Sequence, residues 1–338
     1  MTDFGLQAPL DHWYAHAPRR LALRAETLEE FMLWRNTLRE EVMQLLRIAG
    51  RTLPAAPRAE RLQVVEREGY TEEKWTLDVG DTQAPVFILV PNTPPPYKPI
   101  LALHGHSSGV QNILGNYPDK ETYARAMAVD NNYAQVLAQA GYLVCAVEQR
   151  GFGERISDQV LADYGNACRH LSFEYLMQGR VMLGERLWDA MCTISLVQNR
   201  PDVVPGVFGC TGNSGGGTTT LWLSALDERV TVAVPGSYFC SFKRSILGMR
   251  HCECNYVPGI LQLGEMGDLA ALIAPRAFRA IAGEQDHIYP IAGAHEQFET
   301  VQRAYDLLGH SERCSLAVHP GGHAYNHEMG LAWFAEWL

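Results

Sequence analysis

The chain has 338 residues, 47% hydrophobic and 20% charged, with a formal net charge of −10. That composition describes a globular protein with ample core, as one large α/β domain or two smaller ones. The acidic balance sets aside nucleic acid and anionic membrane surfaces as partners, since both select a basic footprint.

Residues 27–50 read as the clearest helix. Thr27 and Glu30 can form a capping box, and Gly50 offers a C-terminal stop. Leu28, Phe31, Trp34, Leu38, Val42, Leu45 and Leu46 recur at helical spacing, so one face is expected to be buried. Residues 1–60 are accordingly expected to form an amino-terminal helical extension, followed by a main domain over 61–338. From Arg61 the period changes. RLQVVERE, KWTLDV and PVFILV are short runs bounded by Gly and Pro, which predicts antiparallel strands at the amino-terminal edge of a sheet.

After PNTPPPYKP the pattern changes again. ILALHG, YLVCAVE, VPGVFGC, VTVAVPG, FRAIAGE and CSLAVHP read as buried strands. Helices are expected between them at 121–140, 184–199 and 214–226, near 268–273, and at 292–308. Continuous apolar strands alternating with helices predict an α/β fold, a mostly parallel central sheet with helices on both faces. Residues 156–181 carry no clear strand and are a candidate cap over the sheet edge. No stretch approaches the apolar length that crosses a bilayer, so no membrane partner is expected. The amino-terminal MTDFGLQAPLDHWYAHAPRR lacks a basic segment followed by an apolar run, so no export leader is expected.

VFGCTGNSGGGTTT raises the question of chemistry. Gly212 and Gly217 have the spacing of a phosphate-binding loop, but Thr218 stands where that loop needs lysine. A dinucleotide fingerprint would need glycine in place of Ser214. Gly212-Asn213-Ser214-Gly215-Gly216 matches G-x-S-x-G, in which a serine sits on a strained strand-to-helix turn. A serine hydroxyl is a weak nucleophile that needs a base, itself oriented by a third group. In an open parallel sheet those partners gather at the carboxyl ends of strands. FRAIAGE is followed by Asp286 and CSLAVHP by His323, giving the order Ser214, Asp286, His323. His323 follows two glycines that can turn it over the sheet, whereas His319 belongs to the strand end and His327 opens the last helix. Backbone N–H groups of Gly215 and His106 are the expected donors to a developing oxyanion. His104 and His106 also form an H-x-H pair, but Ser107, Ser108 and Gly109 follow where a metal site would continue with ligands.

Eight cysteines sit mostly in apolar segments, so free thiols in a reducing cytoplasm are the expectation. RHCECNYVPG invites a zinc reading of His251, Cys252 and Cys254. Its C-x-C spacing is tight and no second pair lies nearby in sequence, so these are taken as loop and core residues.

LALHGHSSG, EQRGFGER, GERLWDAMCTISLVQNRPDV, GCTGNSGGGTTT, HCECNYVPG, DLAALIAPRAF, GEQDHIYP and HPGGHAYNHE form an ordered set. In that set the chain resembles the α/β-hydrolase superfamily, in its dienelactone-hydrolase-like and acetyl-xylan-esterase-like branch. The resemblance covers most of the chain from about residue 98 onward. It implies Ser214 as nucleophile, Asp286 as acid and His323 as base. Dienelactone hydrolases use cysteine as nucleophile, so Ser214 argues against their substrate. The expected activity is hydrolysis of small-molecule carboxylic esters with short acyl groups through an acyl-enzyme, without metal or organic cofactor. Alternatives are a peptide, amide or lactone hydrolase with the same triad, and a non-catalytic ligand-binding member of the fold. The amino-terminal helix could pack on the domain, shape the active-site entrance or mediate a homodimer, and packing is the reading taken.

Overall fold

A computed structural model describes residues 4–107, 109–164 and 167–338. Among them nine strands form a single sheet ordered β1-β2-β3-β5-β4-β6-β7-β8-β9. The strands are β1 (Ala59–Arg67), β2 (Tyr70–Asp78), β3 (Gln83–Pro91), β4 (Pro99–Leu103), β5 (Leu143–Val147), β6 (Gly209–Asn213), β7 (Val232–Gly236), β8 (Ala277–Gly283) and β9 (Cys314–His319). The first three pair antiparallel, as the change of period predicted, and β3 also meets β5 antiparallel. From β5 to β9 every pairing is parallel.

The parallel strands read as unbroken apolar runs because each face of the sheet carries its own core. Leu101 and Leu103 of β4 enter one cluster, with helices Leu28–Leu45, Met182–Gln198, Gly215–Leu226 and Ile291–Leu308. Ile100 and Ala102 of the same strand enter the other, with Tyr133–Gln139 and His327–Trp337. Side chains alternate across a strand, so a strand covered on both faces has no solvent side. This is the mostly parallel sheet covered on both faces that the sequence pattern predicted, and the α/β-hydrolase fold that the resemblance implied.

The amino-terminal helix contributes to the larger core. Its capping box forms, with Thr27 Oγ1 accepting from Glu30 N–H and Glu30 accepting from Thr27 N–H. Phe31, Leu38, Val42 and Leu46 are fully buried. The helix ends at Leu45, where Arg47 turns to φ 60, rather than running to Gly50. Leu28, expected on the buried face, is exposed, and Leu45 is only half-buried.

Two further boundaries differ from expectation. The span 121–140 is not one helix but two, Lys120–Met127 and Tyr133–Gln139, separated where Asp130 adopts φ 53. The strand expected over 204–210 lies later, at Gly209–Asn213, so it runs directly into Ser214. Residues 156–181 hold two helices, Asp158–Tyr164 and Ala167–Met177. Gly165 and Asn166 between them lie outside the described residues.

Strand β4 has β5 on one side and β6 on the other, so the chain leaves this point in both directions. In such a sheet the crevice outside the carboxyl ends of those strands is where ligands bind. Ser214 and the loop after β4 both stand there.

Candidate active site

Ser214 lies between β6 and helix Gly215–Leu226 with φ 57 and ψ −118. A side chain is rarely tolerated in that region, and such strain concentrates at functional positions. Ser214 N–H donates to the Gly236 carbonyl at 2.9 Å, and Thr218 N–H donates to the Ser214 carbonyl at 2.8 Å. The turn is therefore pinned on both sides. The glycines answer to space: a Cβ on Gly216 would overlap the Leu103 carbonyl, and one on Gly212 would come within 2.5 Å of it. Helix and strand could not approach this closely with larger residues.

The loop after β4 passes directly beside this turn. A Cβ on Gly105 would lie 2.7 Å from the Asn213 carbonyl and 3.3 Å from Ser214 Cβ. The backbone nitrogen of His106 lies 3.5 Å from where a Gly215 Cβ would sit. The two expected oxyanion donors are thus neighbours. His104 is fully buried, with Nδ1 2.9 Å from the Gly105 carbonyl and Nε2 3.0 Å from the Gln149 N–H. Its ring braces the loop. The His106 ring turns elsewhere, placing Nε2 3.1 Å from Cys254 Sγ.

Asp286 follows β8 and His323 follows β9, and their side chains meet. His323 Nδ1 donates to Asp286 Oδ2 at 2.8 Å. Asp286 is buried, and its Oδ1 accepts from Ile288 N–H at 2.8 Å and Tyr289 N–H at 3.1 Å. Burial alone would raise its pKa. The hydrogen bond and charge of His323, with those two N–H groups, outweigh it and hold the carboxyl below the usual range. The loop bearing His323 is tied down where Ser237 Oγ donates to the Ala324 carbonyl at 2.8 Å, and Tyr325 shares a 2.8 Å hydrogen bond with Thr211 of β6. His319 accepts from Gly321 N–H and lies 3.2 Å from the Ala324 carbonyl, so it shapes the turn. His327 faces Asp130 instead. Among the described residues no hydrogen bond joins the Ser214 hydroxyl to His323; such contacts often tighten only with substrate.

Two neighbours, Tyr289 and Cys168, escaped sequence reasoning, and His251 was weighed there only as a metal ligand. Tyr289 stacks on His323 with ring centroids 5.8 Å apart, and His251 packs edge-on against Tyr289 at 5.4 Å. Burial, then the charges of His106 and His323, lower the pKa of His251 to about 4. Its Nδ1 accepts from Cys252 N–H and from the Asn255 side-chain amide, both at 3.1 Å. His251 also lines a cavity of about 400 Å³ with Phe173, Leu176, Met182 and Tyr256. A larger open cavity of about 1170 Å³ lies against β1–β3 and includes none of these site residues. Cys168 joins Cys252 and Cys254 beside His106. The C-x-C motif had no second pair nearby in sequence; the fold supplies one from distant segments.

A doubly covered parallel sheet with a strained serine at its switch point, and an acid and a histidine after its last two strands, defines the α/β-hydrolase class. The chain belongs to the Abhydrolase family, whose model matches residues 16–328. It is 27% identical over 313 residues to a Bacillus subtilis (strain 168) protein provisionally named hydrolase YtaP, covering 88% of this chain and 99% of that one. Solved structures share the fold. One, from Bacteroides fragilis and provisionally described as an acetyl xylan esterase, has a TM-score of 0.77 at 18% identity over 94% of this chain and 83% of its own. A glucuronoyl esterase from Solibacter usitatus has a TM-score of 0.68 at 17% identity, covering 94% and 96%.

Proposed function

We propose that the chain is a serine hydrolase of carboxylic esters. The observation that carries this reading is the 2.8 Å His323–Asp286 hydrogen bond, in a loop tied to the strand that presents Ser214 at positive φ. Ser214 attacks the ester carbonyl while His323 Nε2 takes its proton. Asp286 holds the imidazole in the required tautomer and stabilises its charged form. The N–H groups of His106 and Gly215 bind the oxyanion of the tetrahedral intermediate. His323 then protonates the departing alcohol, and water, activated by the same imidazole, releases the acid. The neighbours described as acetyl xylan and glucuronoyl esterases favour ester over peptide substrates. A short acyl group such as acetyl fits the close approach of the His106 loop to Ser214. The cavity lined by Phe173, Leu176 and Tyr256 then receives the alcohol part, and residues 156–181, which supply Phe173 and Leu176, act as its cap.

Fluorophosphonate labelling with hydrolysis of p-nitrophenyl acetate tests the assignment. Ser214→Ala and His323→Ala are expected to lose on the order of 10⁴-fold in kcat, with the double variant little worse. Asp286→Asn should lose less, because the base remains but is poorly oriented. Full labelling in Ser214→Ala would refute the nucleophile. A folded wild-type protein that neither labels nor turns over esters would favour a ligand-binding role instead.

A further inference from the structure

We propose that His106, Cys168, Cys252 and Cys254 form a closed structural site for a thiophilic divalent cation, zinc(II) by the chemistry of its donors. The ligating atoms of these four residues all lie within 4.8 Å of one another. Cys252 and Cys254 bring their sulfurs to 3.4 Å, and His106 Nε2 stands 3.1 Å from Cys254 Sγ. Tetrahedral zinc, with zinc–sulfur bonds of about 2.3 Å, needs sulfurs about 3.8 Å apart, so small side-chain shifts suffice. Three sulfurs and one imidazole nitrogen are the donor set that selects zinc among common divalent ions.

A second observation points to negative charge at this spot. Arg186 is buried at 3% exposure, and among the described residues no carboxylate pairs with it. Its guanidinium donates to the Arg150 carbonyl, lies over the Phe152 ring, and points Nη2 at Cys168 Sγ at 2.9 Å. A buried cation without an anion is costly. Neutral thiols would leave Arg186 in that state. On zinc binding, three thiols release their protons to solvent and the imidazole remains neutral, so the filled site carries one negative charge. Arg186 balances it.

The ligands come from three separate parts of the chain. His106 is in the loop after β4, Cys168 is on helix Ala167–Met177, and Cys252 precedes the short turn Glu253–Asn255 that contains Cys254. Phe152, Met182, Cys168 and Cys254 form a small apolar cluster of their own around the site. Four protein ligands leave no open position for a reacting water, so the ion clamps rather than catalyses. It would fix the His106 loop against residues 167–177.

The test is metal content of the full chain purified under reducing conditions without chelator. Mass spectrometric analysis should find about one zinc per chain, released by a mercurial thiol reagent. Cobalt(II) exchanged into the wild type should give thiolate-to-cobalt charge-transfer bands and the intense visible bands of tetrahedral cobalt. Cys168→Ser and Cys254→Ser should retain less than about a tenth of the metal, whereas Ser214→Ala retains it fully. That last variant separates this inference from the esterase reading. If the cysteine variants fail to fold, the wild-type cobalt spectrum still decides. Wild-type protein that binds neither zinc nor cobalt when reduced, or binds cobalt without thiolate bands, overturns the proposal.

Discussion

Replacing Ser214 with glycine should stabilise the protein while abolishing ester hydrolysis. Ser214 holds φ 57 and ψ −118, a region in which a Cβ is crowded by its own backbone. Relief of that strain contributes roughly 1–3 kcal/mol. Against it stands the greater freedom of glycine in the unfolded chain, about 0.4–1 kcal/mol. Among the described residues the Ser214 hydroxyl makes no hydrogen bond, so nothing further is lost. The net is a gain of about 1.3 kcal/mol at the centre of a range from about 0 to about 2.6 kcal/mol. At about 2.1 cal/mol/K per residue, unfolding 338 residues carries about 0.7 kcal/mol/K, so Tm should rise by about 2 °C and by no more than about 4 °C. Ser214→Ala keeps its Cβ and the strain, and its Tm should stay close to that of the wild type. Thermal melts of the three proteins, with p-nitrophenyl acetate turnover, make the comparison. A glycine variant no more stable than the alanine variant would refute the reasoning.

Acid should destabilise the fold through the ion pairs beside β5. Burial raises Asp81, but Arg150 and Arg180 outweigh it and hold the carboxyl at about 2; Glu185 is lowered likewise by Arg51, Arg180 and Arg150. Carboxylates in the unfolded chain titrate near pH ~4, so this stability is fully present above that value and lost as pH falls toward about 2. Urea midpoints should therefore fall across that window, and less steeply in Asp81→Asn. Phe31→Ala empties a fully buried position of the amino-terminal helix and should cost about 3–5 kcal/mol in urea unfolding. Cys210→Ser replaces a buried thiol, whose pKa burial raises to about 12, and should lower stability by about 1–3 kcal/mol while kcat/KM for ester stays near the wild-type value.

Most of the fold was legible because its signals are local. Each parallel strand is covered on both faces, so PILAL and LVCAV are apolar throughout, and the shift from RLQVVERE to ILALHG marks the change from antiparallel to parallel pairing. The misplaced boundaries have local causes of another kind. Arg47 and Asp130 end helical paths by adopting positive φ, which neither residue type announces in the sequence. The strand beginning at Gly209 was placed early because VPGVF is apolar, yet Phe208 is buried without belonging to the ladder.

The candidate site divides along the same line. Ser214, Asp286 and His323 follow β6, β8 and β9 of one sheet, so strand order alone places them at the same end of that sheet, and a motif with two downstream loops was enough to propose them. The cysteine and histidine cluster follows no such order. Cys168 lies 84 positions before Cys252 and His106 lies 62 before Cys168, and spacing rules for metal sites look for paired ligands within short loops. Beyond the C-x-C motif, the further signal in the sequence was indirect. The segment GERLWDAM carries Glu185, Arg186 and Asp189 inside an apolar helix, all buried in the structure. Glu185 and Asp189 are consumed by Arg51, Arg150, Arg155 and Arg180. Among the described residues Arg186 is left without a carboxylate, and a buried cation in that position calls for an anion from elsewhere in the chain. Cysteine thiolates around a metal meet that requirement in an apolar pocket, where a further acid would itself need burying.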